Sequence, residues 1–230
     1  MSGFILAVRP EPGCSATVEA GRALGLAIGG HPLFEIRPLA WQAPPPEAID
    51  ALLLGSANAV RRGSAALAGL RGKPVHAVGE ATAAAAEAAG FTVAATGRGE
   101  LQGLLDTLAA PLRLLRVTGA EHVALVAPPG ISIDTRIAYE SVPLALPEKL
   151  ADRLRHGALT LLHSAAAARH FAAECDRHSV PRGAVSLAAL GPRIAAAAGA
   201  GWREVRSAAE PREATLLALA REMCQDPSGG

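Results

Sequence analysis

Residues 74–97 read PVHAVGEATAAAAEAAGFTVAATG, and residues 184–208 follow the same plan as AVSLAALGPRIAAAAGAGWREVRSA. Each stretch predicts a strand, a glycine turn, an alanine-rich helix, a second glycine and another strand. Strands that alternate with helices are typical of a parallel sheet, because each helix carries the chain back to the edge from which the next strand starts. The repeat therefore predicts an α/β fold that contains one unit twice.

A second pair of similar stretches precedes these two. Residues 52–62 read LLLGSANAVRR and residues 159–169 read LTLLHSAAAAR, so in both an apolar run ends near a serine. Serine is a preferred N-cap residue, and we expect Ser56 and Ser164 to begin helices. The serines act either as caps alone or as part of an anion site that the free N–H groups of the helix start provide.

Short apolar runs elsewhere indicate ten strands, too many for one small sheet. The predicted strands lie near residues 4–8, 33–37, 50–55, 74–78, 92–95, 113–118, 131–139, 158–163, 184–190 and 202–207.

Two β-rich runs that precede a proline, at 31–40 and 132–145, suggest that the chain crosses between two lobes twice. We expect one lobe from residues 1–36 plus 144–230 and an inserted lobe from residues 41–138. Linker strands at 37–40 and 139–143 would join them, and the stiff APPPEA segment (43–48) supports a boundary there. Lobes joined in this way are expected to enclose a cleft, where small molecules often bind.

Charge and cysteine content limit the classes of partner. Lys and Arg number 22 against 21 Asp and Glu, a net charge of +1 that would attract neither nucleic acid nor a membrane. Nearly all the cations are arginines, which keeps an anionic ligand possible, although a GC-rich genome is the plainer explanation. Three cysteines without CxxC spacing indicate a reducing cytosol. The apolar start is too short for a signal peptide, and no run is long enough to cross a membrane.

Further candidate residues lie where predicted strands end. Gly79 in VGEATA and Gly191 in LGPRIA would let backbone approach a ligand, and Thr82 could cap a helix or donate to that ligand. Arg9 in VRPEPG would point into the cleft, and Tyr139, the only tyrosine, could act as a weak general acid. The plain alternatives are ordinary β-α turns, a common strand-end arginine and an interface ring.

Other patterns are too weak to assign. GRGELQG (97–103) differs from the dinucleotide fingerprint by one residue, and no P-loop lysine or GxSxG elbow occurs. The spacing of His163, His170 and His178 with Glu174 could suggest a metal site, but no HExxH motif or Cys/His cluster supports one, so we expect none.

Taken together, the motifs resemble those of the uroporphyrinogen-III synthase family over nearly the whole chain. VRPEPG is similar to the family's T-R-P block, GSANAV to its S-x-N-A-V turn, AVGEATAAAAEAAGF to its V-G-x-x-T-A block and AYESVP to its V-Y-x-x block. The order and spacing of these motifs are specific, although no single one is. The resemblance implies two flavodoxin-like, doubly wound parallel-sheet lobes, joined by a two-stranded linker with a cleft between them, and no metal or cofactor.

The resemblance also implies a reaction and roles for residues. Hydroxymethylbilane would lose its hydroxymethyl oxygen as water to form an azafulvene, and the substituted carbon of ring D would attack to give a spiro-pyrrolenine that recloses with ring D inverted. Tyr139 would donate the proton, and Thr82 would be a positioning hydroxyl. The residues expected to bind the carboxylate-rich substrate are Arg9, Pro10, Ser56, Ala57, Asn58, Gly79, Glu80, Ser164, Ala165, Ala166, Gly191 and Pro192, with Arg61, Arg62 or Arg169 as further candidates.

The sequence departs from the family pattern in two places. Arg193 and Ile194 replace a pair of threonines in the last block, and VALVAPPG (123–130) stands where a helix is usual.

The expected protein is a cytoplasmic monomer without nucleic acid or membrane partners, and hydroxymethylbilane synthase is its expected transient partner. The alternative function is a two-lobed binding or sensor module for an anionic small molecule, without turnover.

Overall fold

Strands and helices follow one another along residues 4–225, except that two strands come in direct succession at 28–38 and again at 112–143. Residues 4–225 are the part of the chain that this computed structural model describes, without the side chain of Ser64. The strands of this part are β1 (Phe4–Ala7), β2 (Ile28–Gly30), β3 (Phe34–Pro38), β4 (Ala51–Leu54), β5 (Val75–Val78), β6 (Val93–Gly97), β7 (Leu112–Gly119), β8 (Ile131–Pro143), β9 (Ala158–Leu162), β10 (Val185–Ala189) and β11 (Glu204–Ser207).

The α-helices of the same residues vary from five to 13 residues in length. They are α1 (Gly13–Ala23), α2 (Ala57–Leu67), α3 (Glu80–Ala88), α4 (Leu101–Leu105), α5 (Glu148–Arg155), α6 (Ala165–Arg177), α7 (Pro192–Ala197) and α8 (Glu213–Gln225).

The described residues divide into two compact units. The first lobe consists of residues 4–35 and 142–225, and the second lobe of residues 36–141. The chain leaves the first lobe within β3 and returns to it within β8, and these two strands are neighbours in one sheet. The expected linker ranges, 37–40 and 139–143, include the ends of β3 and β8.

The first lobe contains a five-stranded sheet in the order β11-β10-β9-β1-β2. All four neighbouring pairs in it are parallel. Numbered along this lobe alone, the order is 2-1-3-4-5, the flavodoxin-like arrangement.

The second lobe contains a six-stranded sheet in the order β3-β8-β7-β4-β5-β6. The pairs from β8 to β6 are parallel. Strands β4, β5 and β6 occupy the positions that β9, β10 and β11 hold in the first lobe, and β7 and β8 occupy those of β1 and β2. The prediction of two flavodoxin-like parallel lobes is confirmed, with the chain order permuted in the second.

The central strand of each repeat is buried on both faces, as parallel strands between helices are. All residues of β4 and of β9 are buried. In β4, Leu53 packs on one face while Leu52 and Leu54 pack on the other. The apolar runs at 50–55 and 158–163 therefore form the cores of the sheets.

One strand differs from the expected set, and one expected departure from the family pattern is observed. Strand β2 was not predicted, because it has three residues and two of them are glycines, which weaken any strand pattern. Residues 120–130, between β7 and β8, contain no helix, and Leu125 packs there against the core of the second lobe. The absent helix agrees with the unusual VALVAPPG sequence.

Candidate active site

Each sheet has a switch point, where successive connections leave in opposite directions and open a crevice at the carboxyl ends of two strands. In the first lobe, the switch point lies between β1 and β9, and in the second lobe between β7 and β4. Arg9 and Ser164 follow the first pair of strands. Ser56 follows β4, and Gly119 ends β7. Of these residues, Arg9, Ser56 and Ser164 were predicted from strand ends, and they lie at the edges where ligands of such folds bind.

Both serine turns are helix N-caps, as predicted. Ser56 Oγ accepts a hydrogen bond from the Asn58 N–H at 3.2 Å, and Ser164 Oγ accepts one from the Ala167 N–H at 3.1 Å. The side chains satisfy one of the unpaired N–H groups of each helix start. The remaining first-turn N–H groups, which include that of Ala57 in α2, can still meet an anion.

An arginine occupies the same place after each serine. Arg61 in α2 and Arg169 in α6 both lie five residues after their N-cap, are exposed, and form no ion pair within residues 4–225. Side chains on a helix lean toward its N-terminus, so each arginine can extend toward the helix start that precedes it. Arg62 is also exposed and unpaired within the described range.

The two glycine turns differ in why they contain glycine. Gly79 has a φ of 80°, a left-handed conformation that other residues adopt rarely, and Glu80 begins α3 directly after it. Gly191 is extended, with a φ of −172°, and Pro192 begins α7. Both glycines have open space where a side chain would be. Glycine is thus conformationally required at 79 but not at 191.

The Thr82 hydroxyl is less accessible than Gly79, and the two residues that replace the family threonines differ in exposure. Thr82 is buried, with 5% of its surface exposed. Ile194 packs partly against the core of the first lobe, and Arg193 is exposed. Ile194 therefore has a packing role in place of a family hydroxyl.

Tyr139 lies against the end of β7. A Cβ on Gly119 would stand 2.6 Å from Tyr139 Cε2 and 3.0 Å from Cζ, so the half-buried ring covers that glycine. A register shift between β7 and β8 makes Tyr139 the partner of Gly119, and the Ala120 N–H donates to the Tyr139 carbonyl at 2.8 Å. This contact sets the ring at the carboxyl edge of the second lobe.

The segment from 120 to 130 is held by side chains rather than by helical bonds. Arg116, which is 5% exposed, donates to the Val123 carbonyl at 2.8 Å. The Gln102 side chain binds both the N–H and the carbonyl of Val126, each at 2.9 Å. Burial lowers the pKa of Arg116, and a negative charge on Tyr139 would act against that shift. Arg116 is therefore a buried cation close enough to affect the phenol.

Arg9 belongs to a network in the first lobe. Its Nη1 donates to Glu213 Oε2 at 2.8 Å, Thr17 Oγ1 donates to Glu213 Oε1 at 2.7 Å, and His163 Nε2 lies 3.1 Å from Oε2. Burial acts to raise the pKa of the Glu213 carboxyl, but the bonds and charges of His163, Thr17 and Arg9 outweigh it and lower the pKa. Glu213 therefore stays ionised at neutral pH.

The remaining histidine candidates have structural contacts. His170 Nε2 is 2.8 Å from the Leu144 carbonyl, and His178 Nδ1 is 2.9 Å from Glu148 Oε2. Glu174 accepts hydrogen bonds from the Leu146 N–H and from Arg177. Among the described residues, no group of three or more His, Cys, Asp or Glu side chains is placed to hold a metal ion.

A family model matches most of the chain. Residues 15–218 match the model of the family described as uroporphyrinogen-III synthase HemD. The chain belongs to the uroporphyrinogen-III synthase family. It is therefore a cyclising lyase of porphyrin and haem biosynthesis, which closes hydroxymethylbilane to uroporphyrinogen III. No curated protein sequence matches the chain.

Two solved structures of uroporphyrinogen-III synthases share the fold. The enzyme from Helicobacter pylori is 18% identical, with a TM-score of 0.66, and the match covers 97% of this chain and 100% of that one. A mutant enzyme from Thermus thermophilus is 17% identical, with a TM-score of 0.53 and the same coverage.

The sequence of this uroporphyrinogen-III synthase family member did not indicate three residues of the Arg9 network. Thr17 and Glu213 carry no motif, and His163 was considered only as a metal ligand. These residues are far apart in the chain, so only the helix-start position of Glu213 offered a local signal.

No helix among residues 4–225 has both the length and the apolar character needed to cross a membrane.

Proposed function

We propose that the two lobes of this chain have different tasks in the reaction of the uroporphyrinogen-III synthase family. Helix starts and arginines of both lobes bind the carboxylates of hydroxymethylbilane, and Tyr139 of the second lobe donates the proton. The observation that carries the reaction is the family match over residues 15–218. No feature of the described residues favours the binding or sensor module over the enzyme.

The chemistry requires one proton donor and a firm hold on the substrate. The hydroxymethyl oxygen leaves as water once it is protonated, and the resulting azafulvene is attacked by the substituted carbon of ring D. The spiro-pyrrolenine then fragments, and the ring closes with ring D inverted. Because the free bilane closes spontaneously without inversion to isomer I, the enzyme contributes mainly by orienting the chain.

Tyr139 is the proposed donor because its ring is fixed over Gly119, at the carboxyl edge of β7. A phenol can protonate a leaving oxygen. The buried guanidinium of Arg116 interacts electrostatically with Tyr139, so a cation lies near the proposed donor. Thr82, buried in the first turn of α3, is the proposed positioning hydroxyl.

The binding residues are proposed to act mostly through main-chain groups. N–H donors would come from the turns of Ser56, Ala57 and Asn58, of Ser164, Ala165 and Ala166, and of Gly79, Glu80 and Gly191. Asn58 and Gly79 would contribute contacts other than their N–H groups, because these already donate to Ser56 Oγ and to the Gly97 carbonyl. Glu80 would contribute only its N–H, because its carboxylate repels another. Pro10 and Pro192 have no N–H, so they would supply contacts and shape.

Side-chain cations would add to these turns. Arg61 and Arg169 stand five residues after the serines and lack ion-pair partners within residues 4–225, which leaves their guanidinium groups available to substrate carboxylates. Arg62 is available in the same way. At the switch point of the first lobe, Arg9 is the residue proposed to bind a substrate carboxylate.

The test is the identity of the product isomer. Hydroxymethylbilane is generated in place from porphobilinogen and its deaminase, the protein is added, and the oxidised products are separated into uroporphyrins I and III. We expect isomer III to predominate with the protein and isomer I without it. Isomer I alone, from a folded protein, would show that the proposed function is wrong.

We also propose that the chain acts as a cytoplasmic monomer that receives its unstable substrate directly from hydroxymethylbilane synthase. The three free cysteines suit a reducing compartment. Light scattering after gel filtration should give a mass near 23.4 kDa. A direct transfer should keep the yield of isomer III constant when a trapping reagent for free bilane is added, and a fall in that yield would exclude it.

A further inference from the structure

Three donors from separate parts of the first lobe meet at the carboxylate of Glu213, the first residue of α8. Arg9 follows β1, His163 follows β9, and Thr17 lies in α1, where it is 1% exposed. Their polar atoms are 2.8, 3.1 and 2.7 Å from the Glu213 oxygens. One carboxylate therefore ties together both strand ends of the switch point.

Stability alone does not account for such a network. Partly buried charges lose hydration that their mutual attraction restores only in part, and apolar side chains can fill the same space at least as well. The network lies instead at the edge of the sheet where ligands of doubly wound folds bind. A role toward a ligand explains its place.

The guanidinium of Arg9 contacts Glu213 and Gly13. Glu213 Oε2 accepts a hydrogen bond from Nη1, and the guanidinium also lies against Gly13, where a Cβ would stand 2.5 Å from Arg9 Nε and 2.8 Å from Cζ. The Arg9 side chain is nevertheless 34% exposed. Only one of its N–H groups donates to another described residue, so the others can meet a second anion.

We propose that Glu213 is a positioning residue that holds Arg9 ready for a carboxylate of the tetrapyrrole, and that Thr17 and His163 hold Glu213. An arginine that is already ordered loses less conformational freedom when the substrate binds, so more of its interaction appears as affinity. The inference rests on the proposed function, in which Arg9 binds substrate.

A double-mutant cycle tests the positioning role. KM and kcat for hydroxymethylbilane are measured for the wild type, Arg9→Ala, Glu213→Gln and the double variant. Each single change should raise KM about tenfold while isomer III is still formed at saturating substrate. Because Glu213 acts through Arg9, the KM of the double variant should exceed that of the more severe single variant by no more than about twofold.

Glu210→Gln is the matched control, because it removes a carboxylate three residues away whose partner is the exposed Arg212. It should leave KM unchanged. If Arg9→Ala raises KM and Glu213→Gln does not, the inference is wrong and the proposed role of Arg9 stands. If neither changes KM, that role is wrong as well. Multiplying effects in the double variant would also overturn the positioning role.

A glycine gives a second test that does not alter Glu213. Gly13→Ala puts a methyl group where the Arg9 guanidinium lies, and it favours the helix α1, since alanine is the better helix former. We expect a raised KM with an unchanged or higher melting temperature. Gly103→Ala in α4 has open space around it and serves as the control. An unchanged KM in Gly13→Ala would contradict the proposal.

The outer part of the network is tested by replacement of His163. Glutamine can place its amide nitrogen near the position of His163 Nε2 and still donate to Glu213, whereas leucine cannot. We expect His163→Gln to keep a KM within about twofold of the wild type and His163→Leu to raise it about fivefold. Equal KM values for the two variants would show that the bond to Glu213 does not matter.

Discussion

The connection from β1 to β2 and the connection from β7 to β8 occupy the same place in the two sheets, but only the first contains a helix. In the first lobe, α1 follows β1, and Arg9 and Thr17 on either side of its start bind Glu213. In the second lobe, residues 120–130 are irregular and are held by Arg116 and Gln102. The duplicated sheet has therefore been kept while the chemistry at its edge has diverged.

A glycine beside the candidate side chain is common to both places. Gly13 leaves room for the Arg9 guanidinium, and Gly119 leaves room for the Tyr139 ring. In each case a methyl group would collide with the functional side chain rather than with backbone. A glycine without a side chain therefore leaves room for a cation in one lobe and for a phenol in the other.

The largest expected difference between the lobes is the loss of stability when a core leucine beneath each connection is replaced by alanine. Leu161 in β9 and Leu53 in β4 hold matching positions, and both are fully buried. Alanine should cost about 4–5 kcal/mol at Leu161, where helices cover the sheet, and about 2–3 kcal/mol at Leu53, where the irregular segment packs beside α4 and can settle into the cavity. Urea denaturation measures both, and an equal or reversed order would contradict the difference.

A carboxylate in each lobe should respond differently to acid. Hydrogen bonds from Arg177 lower the pKa of Glu174 to about 2, and Arg113 lowers that of Asp50 to about 2. A depressed folded pKa adds stability at neutral pH that is lost as the pH falls from 4.5 toward 2.

Glu174→Gln should therefore lower the free energy of unfolding by about 2 kcal/mol at pH 7 and flatten its acid dependence. Asp50 is more exposed, so Asp50→Asn should have a smaller effect that high salt removes. The free energy of unfolding is measured against pH at two salt concentrations for both variants. Equal losses of stability in Glu174→Gln and Asp50→Asn would contradict this prediction.

Gly119→Ala should disturb the second lobe's site without disturbing its fold. The new methyl group displaces the Tyr139 ring, so kcat should fall about tenfold, equivalent to about 1.4 kcal/mol. Gly69→Ala, where the added group meets open space, is the control. An unchanged kcat in a variant with normal stability would separate Tyr139 from the reaction.

The smallest expected effect is on the irregular segment itself. Gln102→Ala removes two bonds to Val126 and should lower stability by about 1 kcal/mol, with faster amide exchange confined to residues 120–130. Replacement of the exposed Gln42 should leave exchange there unchanged. Exchange that stays slow in Gln102→Ala would show that other contacts hold the segment.

Local patterns predicted most of the fold. Buried runs such as LLL at 52–54, the N-caps Ser56 and Ser164, and the glycine turn at Gly79 depend on neighbours in sequence, and all are observed. Strand β2 was missed because glycines carry little strand signal. The partners of Glu213 were missed because Arg9, Thr17 and His163 come from distant segments that only the folded sheet brings together.

The division of labour between the lobes is tested most directly by steady-state kinetics of Arg9→Ala beside Tyr139→Phe. Arg9 is proposed to bind substrate and Tyr139 to donate a proton, so the first change should raise KM about tenfold with little change in kcat. The second should lower kcat about 100-fold with little change in KM or in stability. If both variants changed the same parameter, or if Tyr139→Phe retained full kcat, the lobes would not divide binding and proton donation in this way.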